Sequence, residues 1–381
     1  MKFIHLADLH FGKKVFGYDL VQEQKDALEQ VLSILDTQEI DGIWICGDVY
    51  DTAIPSVEAV HLLNWFLNEL YRRQVPTFVI SGNHDSPGRL NFGSRLLEAS
   101  NVHIVSLYDG TIPFYDVTKG DETVRIHMLP FIKPIKVKMA LKEDPEGDWT
   151  QAVEIALNKA QRLDHGYNVL LSHQFYMGGQ AAESEELSIG SLDQVHTRVL
   201  EGFDYAALGH LHNPQSVGFP TYRYCGTLLK FSASELGVQK SITVVSLEQG
   251  KVTIEAIALE PKHDFVKIQG TFDQLVAKSF VQRQNKDNYF YIALDDDQEV
   301  YQAFEKLSLH YPRILKIEYT KKFSFVPEAQ QEIITDSEMK HPEEIFAKFY
   351  TMQNQGASLD PFLQEKLGTL WNEVKDNPEQ N

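Results

Sequence analysis

Five short apolar runs, each passing directly into residues able to hold a metal ion, constrain this chain more than any other feature. The runs cover residues 2–6, 42–46, 77–80, 167–171 and 204–208, bounded by Gly or polar residues. Continuous apolar runs of that length suit strands buried on both faces. Stretches of helical periodicity, such as 20–35 and 57–71, lie between them. The alternation predicts an α/β layered core. Asp8 and His10 follow the first run, Gly47 and Asp48 the second, and Gly82, Asn83, His84 and Asp85 the third. His173 follows the fourth, and Gly209, His210 and His212 the fifth. Ligands of open α/β sheets gather outside the carboxyl ends of strands. All five segments are therefore expected to converge on one edge of the sheet.

The donors available narrow the chemistry. Cys46 and Cys225 are the only cysteines, too few for a disulfide framework and in keeping with a reducing cytoplasm. A metal site must then use His, Asp and Asn. Asp8-x-His10 puts a carboxylate and an imidazole where both can face one ion. Asp48 is a candidate bridging carboxylate, and Asn83 supplies a neutral oxygen. His173 and His210 can complete one ion's shell, and His212 the other's. Nitrogen and oxygen donors without thiolate favour two Mn²⁺ per chain, with Fe²⁺, Zn²⁺ or Mg²⁺ as alternatives. Two ions roughly 3.5–4 Å apart would clamp a phosphodiester and activate a water for in-line attack. His84, next to Asn83, is placed to touch the phosphate, stabilise developing charge or protonate the leaving alkoxide, with Asp85 to orient its ring. Taken singly these signals are weak. Asp-x-His recurs by chance, Gly-Asp-x-x-Asp is commonly a turn, and a lone His173 is more often a core histidine. Their order, each at a strand end, carries the case. The other nine of the 14 histidines, His5, His61 and His127 among them, fall outside it and suit surface or core roles.

Past residue 221 the pattern becomes β-rich, at 222–225, 241–247 and 252–258, and is expected to complete a second sheet of the same core. A β-α-β-α-β order follows: strand-like 265–268, helical 272–281, strand-like 289–294, helical 300–309 and strand-like 314–319. The expected divisions are a catalytic domain over 1–262, a small α+β cap over 263–322, a polar linker over 323–340 and a helix pair over 341–381. Pro342 suits the first turn of one helix, and Asp360-Pro361 an N-cap and first turn of the next. Such an apolar pair behind a linker suits docking on another protein. No apolar run approaches the roughly 20 residues of a membrane span, and Asp8 comes too early for a signal peptide. The net charge of −19 argues against tight autonomous DNA binding, although residues 328–381 alone hold 11 acidic and 4 basic side chains.

Asp8-x-His10, Gly47-Asp48-x-x-Asp51, Gly82-Asn83-His84-Asp85, His173 and Gly209-His210-x-His212 together resemble the motif set of the calcineurin-like metallophosphoesterases. The resemblance implies two facing sheets flanked by helices, a four-layer αββα core. It implies that Asp8, His10, Asp48 and His212 hold one ion, and that Asp48, Asn83, His173 and His210 hold the other. The extended forms 4–12, 47–56 and 82–90, with the order core, cap and helix pair, are similar to the SbcD family of nuclease subunits. That similarity implies a Mn²⁺-dependent 3′→5′ exonuclease on duplex ends and endonuclease on single strands or hairpins, in DNA repair, recombination and replication. It also implies a homodimer through helices near 57–71 and 89–99, and a heterotetramer with the coiled-coil ATPase SbcC. A nucleoid-associated cytoplasmic location goes with it. Lys13, Lys14, Arg89, Lys133, Lys136 and Lys138 are candidates to neutralise phosphates. Two other readings remain open at this stage. One is a phosphatase or cyclic-nucleotide phosphodiesterase with the same dinuclear site; the other is a non-catalytic scaffold recruiting a coiled-coil partner.

Overall fold

Each of the five apolar runs forms a strand in the computed structural model, which describes residues 1–185 and 193–321 and, beyond them, Phe346, Ala347, Tyr350, Thr351, Gln364 and Lys366. Lys2–Leu6, Gly42–Cys46 and Thr77–Ile80 lie side by side and parallel in a six-stranded sheet, with Val102–Val105 beyond them. Tyr167–His173 and Tyr205–Gly209 lie parallel in a second six-stranded sheet, with Glu122–Leu129 and Phe114–Lys119 on one side and Tyr222–Tyr224 and Gln215–Ser216 on the other. The runs thus divide between two sheets, where a single sheet edge was expected.

Alternation along each strand sorts side chains into layers. Phe3, Trp44, Cys46 and Phe78 of the first sheet meet Val169, Leu171, Tyr205 and Ala207 of the second in one buried cluster. Phe3 and Trp44 stack at 4.6 Å within it. The intervening residues Ile4, Leu6, Ile43 and Ile45 pack beneath helices Val21–Thr37 and Val57–Arg72. On the far face of the second sheet, Leu170, Ala206 and Leu208 pack with Ala152, Val153 and Ala156 of helix Trp149–Leu157. The result is helices, sheet, sheet, helices, the four-layer core that the motif resemblance implied.

Helix Val57–Arg72 shows why the outer layers form. Ala59, Leu62, Leu63, Phe66 and Leu70 recur at helical spacing and are its buried face. The Ser56 hydroxyl accepts the Ala59 N–H at 3.2 Å and caps the first turn, a contact worth about 1 kcal/mol. Each Leu or Phe buried on that face adds about 1.5–3 kcal/mol of transfer free energy.

Two sequence expectations are corrected. Ser241–Glu248 and Lys251–Ala258 form a hairpin on the first sheet, because Ser241–Glu248 pairs antiparallel with Lys2–Leu6; only Tyr222–Tyr224 joins the second. The helix expected over 272–281 breaks at Ala277, which is extended (φ −59°, ψ 130°), into Phe272–Val276 and Lys278–Val281.

A separate three-stranded parallel sheet, ordered Phe265–Gly270, Tyr289–Leu294, Ile314–Tyr319, builds the smaller α+β layer. Its Phe265, Tyr289, Tyr291 and Leu315 pack with Val15, Leu20 and Phe231 of the core. The Tyr289 hydroxyl donates to Glu23 at 2.8 Å, and the Lys230 ammonium bonds both Asp264 oxygens at 2.9 Å. Residues 1–321 consequently group as one compact unit and 322–381 as another. The linker expected over 323–340 lies outside the described residues. So does most of the helix pair expected over 341–381; Phe346, Ala347, Tyr350, Thr351, Gln364 and Lys366 are helical. Among the described residues no helix is long and apolar enough to cross a membrane.

Candidate metal centre

The segments after the five strands meet where the carboxyl ends of the two sheets come together. Gly209 pairs directly with His173 across the second sheet. The loops of the first sheet join through Asp8 N–H to Gly47 C=O at 3.0 Å and His10 N–H to Asp48 C=O at 2.9 Å. Asp8, His10, Asp48 and His210 all adopt positive φ, at 52°, 44°, 49° and 108°. Such backbone is costly for residues other than Gly and gathers at functional sites. The motif glycines are steric requirements. A Cβ on Gly82 would lie 2.1 Å from the Asp48 carboxylate, and one on Gly209 would lie 1.9 Å from the Cys46 carbonyl.

All seven expected ligands are brought together, and Asp8, His10, Asp48, His173, His210 and His212 are buried. Three overlapping triplets each hold their donor atoms within 4.8 Å: Asp8, His10 and His212; His10, Asp48 and His84; Asp8, Asp48 and His173. His10 Nε2 faces His212 Nε2 at 3.2 Å. Asn83 Oδ1 lies 3.0 Å from both His173 Nε2 and His210 Nδ1. Asp48 Oδ2 sits 3.4 Å from His173 Nε2 and 3.7 Å from His10 Nε2, central among the rings as a bridging group needs to be.

Second contacts fix which ring nitrogen faces inward. His173 Nδ1 donates to the Cys46 carbonyl at 2.8 Å. His210's backbone N–H donates to both Asp8 oxygens, at 2.9 and 3.1 Å. His10 Nδ1 lies 3.4 Å from Asp51, whose carboxylate also takes the Lys13 ammonium at 2.8 Å.

The electrostatics call for added positive charge. Burial pulls the His10 and His212 rings below the ordinary imidazole range and His210 down to about 3, leaving them neutral donors. Burial pushes the Asp8 carboxyl well up. Burial would also lower His173, but Asp48 and Asp8 beside it outweigh that and raise it to about 9. Burial pushes Asp48 upward as well, yet the rings of His173, His10 and His84 hold it well below the usual carboxylate range. Two buried carboxylates amid inward-facing lone pairs are costly without a compensating cation. The donor set fits divalent ions.

His84 stands beside this cluster and is partly open to solvent. Its Nδ1 donates to the Asp51 carbonyl at 3.0 Å, and its Nε2 lies 3.9 Å from Asp48 Oδ2. The expectation that Asp85 orients this ring is therefore corrected: the Asp51 backbone does so. The buried Asp85 carboxylate instead accepts the N–H groups of Val49, Tyr50 and Gly82 at 3.1, 3.0 and 2.9 Å. It ties the Asp48 loop to the Asn83 loop, and burial raises it to about 6.

Sequence reasoning missed a supporting chain behind His212. His212 Nδ1 meets the Ser184 hydroxyl at 2.6 Å, which reaches Glu235 at 2.7 Å. Glu235, fully buried, takes the Lys240 ammonium at 2.6 Å, and Lys240 returns to the His212 carbonyl at 2.9 Å. Glu185 accepts the His212 N–H at 2.5 Å. The only sequence signal is Ser232-x-x-Glu235, which has the spacing of a capping box; the Ser232 side chain caps no helix N–H and instead donates its hydroxyl to the Glu235 carboxylate at 2.7 Å. Of the basic candidates, Lys13 pairs with Asp51 and Lys138 with Asp144 at 2.5 Å, while Lys133 lies 6.0 Å from the Phe131 ring.

This fold and site define a class, and the chain belongs to it: the calcineurin-like phosphoesterases, whose family model matches residues 1–214. A second model, for the SbcD C-terminal region and described as type 5 capsule protein repressor C-terminal domain, matches residues 261–354. The SbcD subunit of the nuclease SbcCD from Staphylococcus epidermidis is 30% identical over 342 residues, 87% of this chain and 90% of that protein. Within the class the chain is thus a homologue of the SbcD nuclease subunit, a metal-dependent hydrolase. Two solved structures align more loosely. TT1561 of Thermus thermophilus gives a TM-score of 0.40 at 12% identity, over 67% of this chain and 98% of that one. Hypothetical protein PH1004 from Pyrococcus horikoshii gives 0.28 at 11%, over 68% and 88%.

Proposed function

We propose that this chain cuts DNA as a Mn²⁺-dependent nuclease, 3′→5′ on duplex ends and endonucleolytically on single strands or hairpins, in repair, recombination and replication. The observation that carries the reading is the buried convergence of two carboxylates, Asn83 and four imidazoles beside a partly open His84. Asp8, His10, Asp48 and His212 would hold one ion, and Asp48, Asn83, His173 and His210 would hold the second. Bound divalent ions supply Lewis-acid stabilisation of charge on the phosphoryl oxygens. The remaining work falls to the chain itself. Asp85 keeps the Asp48 and Asn83 loops in register. The Asp51 carbonyl fixes His84 Nδ1 as a donor; in the imidazolium form Nε2 also carries a proton, which it can hold to the leaving oxygen or transfer to it, returning the ring to the neutral Nδ1–H tautomer.

The partner reading follows the same relative, named as one subunit of SbcCD. A coiled-coil ATPase of the SbcC type docks on the helix pair of residues 341–381, and the active assembly is a heterotetramer in the cytoplasm, at the nucleoid. The homodimer face is the apolar groove between helix Val57–Arg72 and residues 88–104, a cleft of about 740 Å³ beside exposed Phe92 and Leu96.

Hydrolysis of linear duplex DNA by the purified chain with Mn²⁺, beside a small phosphodiester and a phosphomonoester, tests the reading. DNA degradation is expected, and His84→Ala should keep metal binding while losing about 10²–10⁴-fold in turnover. Turnover of the small esters alone would move the assignment to a phosphatase or nucleotide phosphodiesterase.

A further inference from the structure

A cleft of about 240 Å³ opens beside Asn83 and His210 and is walled by the rings of Phe131, Trp149 and Phe175. That volume is below the roughly 300–1,000 Å³ of pockets for drug-sized ligands and suits a single planar ring system. Gln174, also on its wall, is fully buried; its Nε2 donates to the Ile132 carbonyl at 3.1 Å, while its Oε1 has no partner. His210 Nε2 is likewise buried and unpartnered, its Nδ1 being turned to Asn83. The cleft lining thus carries three buried polar atoms without a partner: an amide acceptor, an imidazole nitrogen and a carboxylate oxygen, Asp193 Oδ1. Buried polar groups left this way call for a partner, and the surrounding rings call for a flat one. Phe131 and Trp149 lie 6.0 Å apart by ring centroid, and Phe175 lies 5.9 Å from His210.

We propose that this cleft is a nucleobase subsite, receiving the base of the nucleotide whose phosphate lies at the metal centre. The inference rests on the nuclease reading. Every nucleobase offers a π-face for the aromatic wall and, on its edge, the donor and acceptor that Gln174 Oε1 and His210 Nε2 lack. Aromatic stacking tolerates any base. Lys133, exposed at the rim with its Nζ 6.0 Å from the Phe131 ring, meets the backbone leading away. The subsite makes the base a handle: it seats the terminal nucleotide so that its phosphate reaches the metals.

Single-turnover cleavage of two sets of blunt duplexes in Mn²⁺ tests this. One set is fully based; the other carries an abasic tetrahydrofuran residue at either the 5′ or the 3′ terminal position. The wild type should cleave based ends on the order of 10-fold faster than abasic ends of the susceptible polarity. Trp149→Leu, which keeps apolar packing against the core, and Gln174→Leu should each shrink that ratio to below about 3-fold. Melting of the metal-free variants checks that they are folded. A wild-type ratio near one, or a ratio unchanged in both variants, overturns the subsite. Failure of the wild type to cut any duplex while hydrolysing bis(p-nitrophenyl) phosphate overturns the nuclease reading itself, and the subsite with it.

Discussion

A histidine ring has two nitrogens, and in this centre the second one is as informative as the first. His173 gives Nδ1 to a backbone carbonyl, His84 gives Nδ1 to another, and His212 gives Nδ1 to Ser184. Each inner nitrogen is thereby aimed before any ion arrives. For His212 the aim depends on a side chain, so it can be removed without touching a ligand. Ser184→Ala should weaken the binding of one divalent ion by about 10–100-fold and leave that of a second unchanged. Ser184→Thr, which keeps the hydroxyl, should restore it. Calorimetric titration of Mn²⁺ into the metal-free protein reads both sites; two wild-type affinities in Ser184→Ala would rule the support out. At this scale the sequence showed which side chains converge where they sit at strand ends. The convergence of Asp8, His10, Asp48, Asn83, His173, His210 and His212 followed from the rule that parallel strands deliver their last residues to the carboxyl end of a sheet, although the strands belong to two facing sheets and not to one. Ser184, Glu185 and Glu235 were illegible because their importance is a matter of approach. They sit outside the strands, in segments with no periodicity to place them, and only the fold brings them to His212. Asp85 was misread for the opposite reason. Adjacency to His84 suggested contact, but consecutive residues in a loop point apart, and its carboxylate turned to backbone N–H groups instead.

At the scale of elements, burial on both faces made the strands readable, and its absence hid the rest. Phe114–Lys119 is only partly buried, and Lys251–Ala258 has no fully buried residue. Such edge strands lack the apolar runs of the centre, so the former was not anticipated. Strands at Ser241–Glu248 and Lys251–Ala258 were anticipated but given to the wrong sheet, and their hairpin pairing was not read, since apolar alternation carries no record of which partner a strand takes. Exposed apolar residues on otherwise well-packed elements carry a different message. Helix Val57–Arg72 buries one face completely, yet Val57, Val60 and Tyr71 stay exposed on its outer side, near Phe92 and Leu96 at 87% and 81% exposure. If this face joins two copies, Leu96→Glu combined with Phe92→Glu should convert the dimer to monomers. Because neither side chain is buried in the single chain, its melting temperature should change little beyond the loss of the partner. Light scattering coupled to size exclusion would decide. A variant with the mass of two chains, or a wild type with the mass of one, would remove this face from consideration.

For the whole molecule, a net charge of −19 is an odd property for a protein that handles DNA. It is consistent with a nuclease whose hold on DNA comes partly through a partner, and it makes the 341–381 segment testable. Removing those residues should leave metal-dependent cleavage of DNA by the chain alone and abolish binding to a coiled-coil ATPase; co-purification that survives the deletion would refute the docking role. Acid stability is a second whole-molecule property, and it can be derived from a histidine outside the metal centre. His127 is buried in the second sheet, packed against Phe203 and bonded to Asn168 at 3.3 Å. Burial, aided by Arg125 and Arg162 and opposed by Asp116 and the Asn168 bond, lowers it to about 4. The unfolded chain takes up this proton near pH 6.5 and the folded chain only near pH 4. Between those values the unfolded state binds more protons, so stability rises with pH and falls on acidification. The ring's contribution is fully present above about pH 6.5 and is lost at up to about 1.4 kcal/mol per pH unit below it. His127→Gln keeps a donor for Asn168 and removes the titration. Denaturant unfolding of both proteins from about pH 7.5 to about pH 4.5 should therefore show a shallower loss of stability in the variant. Parallel curves would mean that His127 takes up its proton at the same pH in the folded and unfolded chains, so that its burial costs the fold nothing on acidification.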